Sequence, residues 1–184
     1  MDAVKAIRSG KTDAATFEAL VSQWGNPFSF RAGGLARLHE LALKATRPIL
    51  DLGAGLSSIV LGLAAEKSGV PVHSLDNAPE WAERTQQALY AHSIETVSLH
   101  LCRLSGGFYA LPDALPREFG LVFIDGPQDL AGRGRAYEAL NLTGADVVAD
   151  DIRIREIARP FDLWVLASGR AAERCGNYAI ARKS

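Results

Sequence analysis

The sequence predicts a doubly wound α/β domain, a mostly parallel sheet with helices on both faces. From Pro48 onward, short apolar runs alternate with segments of helical period, joined by short links, and this alternation implies parallel strands with right-handed crossovers. The runs themselves, most plainly Leu121–Ile124, are apolar on consecutive positions, as in strands buried on both faces. A chain of 184 residues suits one domain, which buries roughly 70% of its unfolded surface. We expect a single domain over 1–184, with N-terminal helices and a lid over 1–47 and an α/β core over 48–184.

Taken in order, Phe17, Leu20, Val21 and Trp24 form one apolar stripe of a helix, with Thr12 as its N-cap and Gly25 as its stop. A second stripe, Leu35, Leu38, Ala42 and Ala45, ends before Pro48, which disfavours helix at Arg47. Ile49–Leu52 is the first strand, and Ser57–Lys67, apolar nearly all round, is a helix covered on most sides. Val70–Leu75 is the second strand. Asn77 caps the next helix, with Pro79 in its first turn and Trp81, Thr85, Ala88 and Leu89 on one face. Val97–Cys102 is the third strand and Leu121–Ile124 the fourth. Ala136–Leu142 is helical, Val147–Ala149 the fifth strand and Ile152–Ala158 a short helix. Leu163–Ala167 and Tyr178–Ala181 read as closing strands with no helix between them, suited to antiparallel pairing at an edge. The long segment Arg103–Gly120 holds Gly106-Gly107, Pro112 and Pro116, and loops of this length are functional or mobile.

Composition removes several classes. With 48% hydrophobic and 22% charged residues, the chain is neither collagenous nor disordered. A net charge of −1 argues against a nucleic-acid partner. No apolar run approaches the roughly 20 residues that cross a bilayer, so no membrane partner is expected. Met1–Lys11 has no signal-peptide core. Cys102 and Cys175 stand alone and read as packing thiols in a reducing cytoplasm.

In an open parallel sheet, ligands bind at the carboxyl ends of the strands. The first such place is Asp51-Leu52-Gly53-Ala54-Gly55-Leu56-Ser57-Ser58, directly after a strand and opening a helix. Gly53 and Gly55 let the backbone turn tightly and approach a ligand. Free N–H groups at the helix start favour an anion. A dinucleotide fingerprint wants a third glycine where Ser58 stands, and Asp51 is unfavourable beneath a pyrophosphate. A carboxylate there suits a ligand bearing a cation, such as an amino-acid ammonium. Asp76 follows the second strand, 23 residues after Gly53, near the spacing of about 20 at which an acid receives ribose hydroxyls. A bare βα turn and a turn-capping Asp76 are the plain alternatives; taken together, the residues describe a nucleoside site.

The pattern Asp51-x-Gly53-x-Gly55 with Asp76 resembles the two cofactor motifs of the class I S-adenosylmethionine-dependent methyltransferases. The strand–helix order from Pro48 onward is similar to their Rossmann-like, seven-stranded sheet with an antiparallel edge strand. The resemblance implies that Asp51, Gly53 and Gly55 hold the methionine portion of S-adenosylmethionine and that Asp76 holds its ribose. Where the family often carries an acidic or polar pair against the adenine, this chain reads Cys102-Arg103-Leu104-Ser105, which leaves the adenine contacts open.

Two further acidic places follow the fourth and fifth strands: Asp125-Gly126-Pro127 and Asp150-Asp151. Neighbouring strands lie about 4.8 Å apart, so adjacency would bring three carboxylates together, and these raise one another's pKa unless a cation sits between them. Mg²⁺ takes such oxygen ligands and lowers the pKa of a bound hydroxyl. The arrangement is similar to metal-dependent catechol-type O-methyltransferases, with Asp151 replacing their Asn. Asp-Gly-Pro also resembles a group of small methyltransferases in which no metal is implied. Asp125, Asp150 and Asp151 are therefore candidate metal ligands and Asp125 the candidate catalytic residue. A turn at Asp125 and a helix cap at the Asp pair are the plain alternatives.

Trp24–Phe30 and the 103–120 loop are the lid material. Arg133 and Arg135 flank the Asp125 loop, suited to orienting an acidic acceptor or to a solvated helix start. Arg153, Arg155 and Arg159 read as surface, and His39, His73, His92 and His100 show no ligand spacing. The resemblance thus implies methyl transfer from S-adenosylmethionine to an oxygen or nitrogen of a small-molecule acceptor. A nicotinamide-dependent oxidoreductase, against which Asp51 and Ser58 argue, and a non-catalytic nucleoside-binding scaffold are the alternatives.

Overall fold

The computed structural model describes residues 2–26 and 29–183; Pro27 and Phe28 of the expected lid lie outside the described residues. Three helices come first, α1 (Ala3–Arg8), α2 (Ala14–Trp24) and α3 (Ala32–Leu43). The core then runs β1 (Ile49–Leu52), α4 (Leu56–Ser68), β2 (Val72–Asp76), α5 (Pro79–Ala91) and β3 (Val97–Leu101). A small hairpin, β4 (Leu104–Ser105) and β5 (Phe108–Tyr109), precedes β6 (Leu121–Ile124), α6 (Leu130–Gly134), α7 (Ala136–Ala139) and β7 (Asp146–Ala149). The last elements are α8 (Arg155–Ser168), β8 (Ala172–Cys175) and β9 (Tyr178–Ala181).

The sheet has the order β3-β2-β1-β6-β7-β9-β8. Strands β3, β2, β1, β6 and β7 are parallel, and β9 runs antiparallel to both of its neighbours. This is the expected Rossmann-like architecture, with strand order reversing between β1 and β6 at the switch point where ligands bind. All four residues of β1 and of β6 are buried. Their side chains alternate between two apolar layers: Ile49, Leu121 and Phe123 meet the helices α1 to α4, while Leu50, Leu52, Val122 and Ile124 meet the hairpin and α7. Helix α4 buries every residue from Leu56 to Ala65, as its lack of a polar face requires.

The structure corrects several boundaries. Helix α2 is capped by Asp13, not Thr12: Asp13 Oδ1 accepts from Thr16 N at 2.8 Å and from Thr16 Oγ1 at 2.7 Å. Gly25 does end it, with φ 69°. Asn77 does not cap α5; the N-cap is Ala78, with Pro79 first in the helix. Leu163–Ala167 is not a strand but the second half of α8, which runs through Pro160. Ile157, Phe161, Trp164 and Val165 make one helical stripe there, while the Leu-Trp-Val-Leu run taken alone has no helical period. The proline ring lies against Gly134, where a Cβ would come within 2.8 Å of Pro160 Cγ. The partner of Tyr178–Ala181 is instead β8, an exposed Ala-Glu-Arg-Cys segment that carries no apolar signal. The Ala136–Leu142 helix shrinks to α7, preceded by α6. The 103–120 loop holds the hairpin, turned by Gly106 (φ 58°) and Gly107 (φ 87°). Cys102 and Cys175 are free thiols. No helix among the described residues is long and apolar enough to cross a membrane.

Candidate active site

The β1–α4 turn is built on Asp51, which is 0% exposed. Its carboxylate accepts from Ser57 Oγ at 3.0 Å, Ser58 Oγ at 2.6 Å and Ser74 Oγ at 2.8 Å. Burial pushes its pKa up to about 6, and the three hydroxyls hold it from going higher. Ser58 Oγ also accepts from Gly55 N at 3.1 Å, so the residue in the place of a third glycine ties the turn to the acid beneath it. The Asp51 carboxylate is turned under the loop and does not line the cavity above it.

Gly53 has φ 101°, and a Cβ there would lie 3.0 Å from the backbone of Asp125 and Gly126. A Cβ on Gly126 would collide with Tyr109 Oη and lie 2.8 Å from Gly53 Cα. The loops after β1 and β6 therefore touch through bare backbone. Asp76, 7% exposed, joins the next loop to them: Oδ2 accepts from Ala54 N at 2.9 Å and Oδ1 from Ala78 N at 2.8 Å. Burial raises its pKa, against the pull of these backbone N–H groups. Above these loops lies a cavity of about 190 Å³ that Gly53, Gly55, Asp76, Asn77, Tyr109 and Asp125 help to line. Trp24 and Trp81 border it, and the Arg84 guanidinium lies 4.4 Å from the Trp24 ring and 5.3 Å from Trp81. Arg84 also donates to the Trp24 carbonyl.

Strands β6 and β7 are neighbours with Ile124 opposite Ala149, so Asp125 and Asp150-Asp151 meet at their ends. One oxygen from each of the three carboxylates lies within 4.8 Å of the others. Arg133, whose side chain is 9% exposed, places Nη1 3.3 Å from Asp125 Oδ1 and 2.8 Å from Asp151 Oδ2. Its Nε donates to Pro127 O at 2.9 Å. Asn177 Nδ2, in the β8–β9 turn, donates to Asp150 Oδ1 at 3.1 Å and Asp151 Oδ1 at 2.9 Å. Burial, opposed by the Asp151 backbone N–H and helped by the Asp151 charge, pushes Asp150 up to about 6. Burial and Asp150 raise Asp125 well above the carboxylate range, and Arg133 pulls it back.

The three candidate Mg²⁺ ligands thus come together. Arg133, anchored to a carbonyl, sets its positive charge between Asp125 Oδ1 and Asp151 Oδ2, and Asn177 donates to Asp150 Oδ1 and Asp151 Oδ1, so four of the six carboxylate oxygens already have a protein partner.

A second cavity, of about 880 Å³, is lined by Asp150, Asp151, Asn177, Arg31, Arg153 and Tyr178 among others. It shares Ser29, Phe30, Asp125, Gln128 and Arg133 with the first. The structure thus brings together Gly53, Gly55, Asp76, Asp125, Asp150 and Asp151, and sets Asp51 beneath them. Arg135 faces the hairpin turn at Gly106 rather than the acids. His39 is buried, and His73 stacks on His100 at 5.5 Å; none of these rings lines either cavity. Sequence reasoning missed Ser74, Tyr109 and Asn177. Ser74 is the cross-strand partner of Asp51 in the β1–β2 register, and a pairing of the two strands in register would have found it. Tyr109 and Asn177 carry no local signal.

No protein-family model matches the sequence, and neither does any curated protein. Its fold is similar to that of solved methyltransferases. Precorrin-6Y C5,15-methyltransferase from Geobacter metallireducens is 19% identical with a TM-score of 0.64, covering 87% of this chain and 92% of that one. An O-methyltransferase from Bacillus cereus, solved in complex with SAH, is 16% identical with a TM-score of 0.68, covering 92% and 91%. The O-methyltransferase TomG from Streptomyces achromogenes, in complex with SAM, is 18% identical with a TM-score of 0.64, covering 93% and 89%. The likeness is one of fold.

Proposed function

We propose that this protein is an S-adenosylmethionine-dependent methyltransferase that moves a methyl group to an oxygen or nitrogen of a small molecule. The observation that carries the reading is the meeting of two cavities at Asp125 and Arg133. One is walled by bare glycine backbone and Asp76, the other by an acidic cluster of which Asp150 is buried and Asp125 and Asp151 are half-buried. The cofactor, when bound, supplies an activated methyl group; the rest is orientation and proton handling.

Asp76 keeps a lone pair on each oxygen after accepting its two amides, enough for a pair of ribose hydroxyls. The Gly53–Gly126 contact offers backbone without side chains on which a nucleoside can lie. Asp51 acts from below, holding the turn through its serines. Residues 1–47 cover the cavity through Trp24, Asn26, Ser29 and Phe30. In the larger groove Asp125 takes the proton from the acceptor. Its raised pKa makes it a stronger base than a free carboxylate, and Arg133 fixes its direction. No step runs through a metal ion. The two free thiols suit a reducing cytoplasm.

Calorimetry with S-adenosylhomocysteine tests the cofactor site: binding in the micromolar range is expected, and Asp76→Ala should weaken it by at least about 100-fold with the circular dichroism spectrum unchanged. Labelled methyl transfer into the small-molecule fraction of a cell extract tests the chemistry. There Asp125→Asn should slow turnover by about 10²–10⁴-fold. Binding without transfer to any fraction would leave a nucleoside-binding scaffold in place of an enzyme.

A further inference from the structure

The larger groove carries two cations that the proposed function does not use. Its wall includes Arg31, which precedes α3, and Arg153, between β7 and α8. Both are exposed, and neither guanidinium has a carboxylate partner among the described residues. Arg133, the third arginine of the groove, is already bound to Asp125, Asp151 and the Pro127 carbonyl. Arg153 is steadied from one side: its Nε donates to Gly176 O at 3.2 Å, in the same wall, which leaves its terminal N–H groups for a ligand. The backbone next to each arginine is bare. A Cβ on Gly33 would meet nothing within 4 Å, and one on Gly176 would meet only Arg153 Nη2, at 3.9 Å. A ligand in the groove therefore has room to reach both guanidinia.

A guanidinium is a planar fork of donors that matches the paired oxygens of a carboxylate or a phosphate. Asp150 and Asp151 stand in the same groove, yet their oxygens take Arg133 and Asn177 and leave Arg31 and Arg153 aside. An anion entering the groove is repelled by the acidic cluster and drawn to the two open arginines. Charge alone thus turns its negative end away from Asp125 and leaves the opposite end to face that carboxylate. Phe30, which lines both cavities and meets the Tyr178 ring at 5.1 Å, gives the stretch between them an apolar floor. We propose that the methyl acceptor is an anion, a carboxylate or a phosphate monoester, whose charged oxygens are held by Arg31 and Arg153 while its reacting oxygen or nitrogen lies at Asp125. The anionic group binds and does not react. The inference rests on the methyltransferase reading and adds the acceptor's chemical class to it.

The test is labelled methyl transfer into a deproteinised cell extract by the full chain and its Arg31→Gln and Arg153→Gln variants, followed as the extract is diluted. Each variant should need about tenfold more extract for half-maximal rate, with the maximal rate unchanged, as the loss of uniform binding requires. Added KCl should raise the half-saturating amount for the native protein and hardly move it for the double variant. Neither residue lines the smaller cavity, so S-adenosylhomocysteine affinity and the urea midpoint should match native in both variants; a fall in either would mean a structural role and overturn the inference. Pretreating the extract with alkaline phosphatase, or esterifying its carboxylates, identifies the anionic group: one of the two should abolish the acceptor. Survival of the acceptor through both treatments would overturn the inference, as would native half-saturation in both variants, and either result leaves the methyltransferase reading intact. Absence of transfer by the native protein would instead remove the reading and the inference together.

Discussion

A carboxylate sealed under a glycine turn ties the stability of the fold to proton uptake. In the fold Asp51 holds its proton up to about pH 6, against an ordinary value of 3.8. A raised folded-state pKa means that the folded chain binds the proton more tightly than the unfolded one. The associated stability is complete below about pH 4 and is lost as pH rises through about 6, an effect of roughly 3 kcal/mol. Asp51→Asn should flatten that decline, read as the difference in urea midpoint between acidic and neutral pH, with a residual slope of the same sign from Asp76, Asp125 and Asp150. At this scale the sequence was half legible. An acid two places before a glycine can be read from the chain, and so can its distance from Asp76. That Asp51 faces three serines rather than a ligand cannot, because Ser74 reaches it only through the β1–β2 register. Tyr109 and Asn177 were illegible for the same reason, since each becomes part of the site only when a hairpin folds back.

Among the elements, the loops after β1 and β6 depend on their contact through Gly53 and Gly126. Gly126→Ala pushes a methyl group into Gly53 Cα and Tyr109 Oη and should cost about 1–3 kcal/mol in unfolding measurements, along with S-adenosylhomocysteine binding. Gly55 is the contrast: a Cβ there meets nothing within 4 Å although the residue lines the cavity. Gly55→Ala should therefore fold with native stability and still bind S-adenosylhomocysteine more weakly by calorimetry. A loss of stability at Gly55, or none at Gly126, would contradict the contact. The buried strands β1 and β6 could be read from sequence to the residue, because burial on both faces leaves apolar residues at consecutive positions, unbroken in β6 and interrupted in β1 by Asp51 alone. Helix α8 could not. Its proline and its Leu-Trp-Val-Leu stretch resemble a boundary and a strand, and only packing on Gly134 and Tyr137 shows the helix continuing. Strand β8 escaped for the opposite reason, being a polar edge whose partner supplies all the apolar surface.

Across the whole molecule, the acidic cluster draws on β6, α6, β7 and the β8–β9 turn, which set one guanidinium and one amide against its three carboxylates. Because Arg133 and Asn177 already engage four of the six oxygens that a divalent ion could use, methyl transfer should be unchanged by EDTA and by added Mg²⁺. A loss on chelation that Mg²⁺ restores would show that the arginine gives way. The wall of the larger groove carries the exposed Arg31 and Arg153, neither of which has a carboxylate partner among the described residues. An acceptor with an anionic group would meet them while its reacting end faces Asp125. When a deproteinised extract is passed over an anion exchanger, the labelled-methyl acceptor should therefore be retained, and its appearance only in the flow-through would mean a neutral or cationic acceptor. The arrangement of the indoles has a practical consequence. Of three tryptophans, Trp24 and Trp81 border the smaller cavity, while Trp164 stacks on Tyr137 at 5.3 Å on the far side of the sheet. Ligand arrival should quench or shift most of the protein's own ultraviolet emission against a constant background, giving the molecule an optical gauge of occupancy that needs no label.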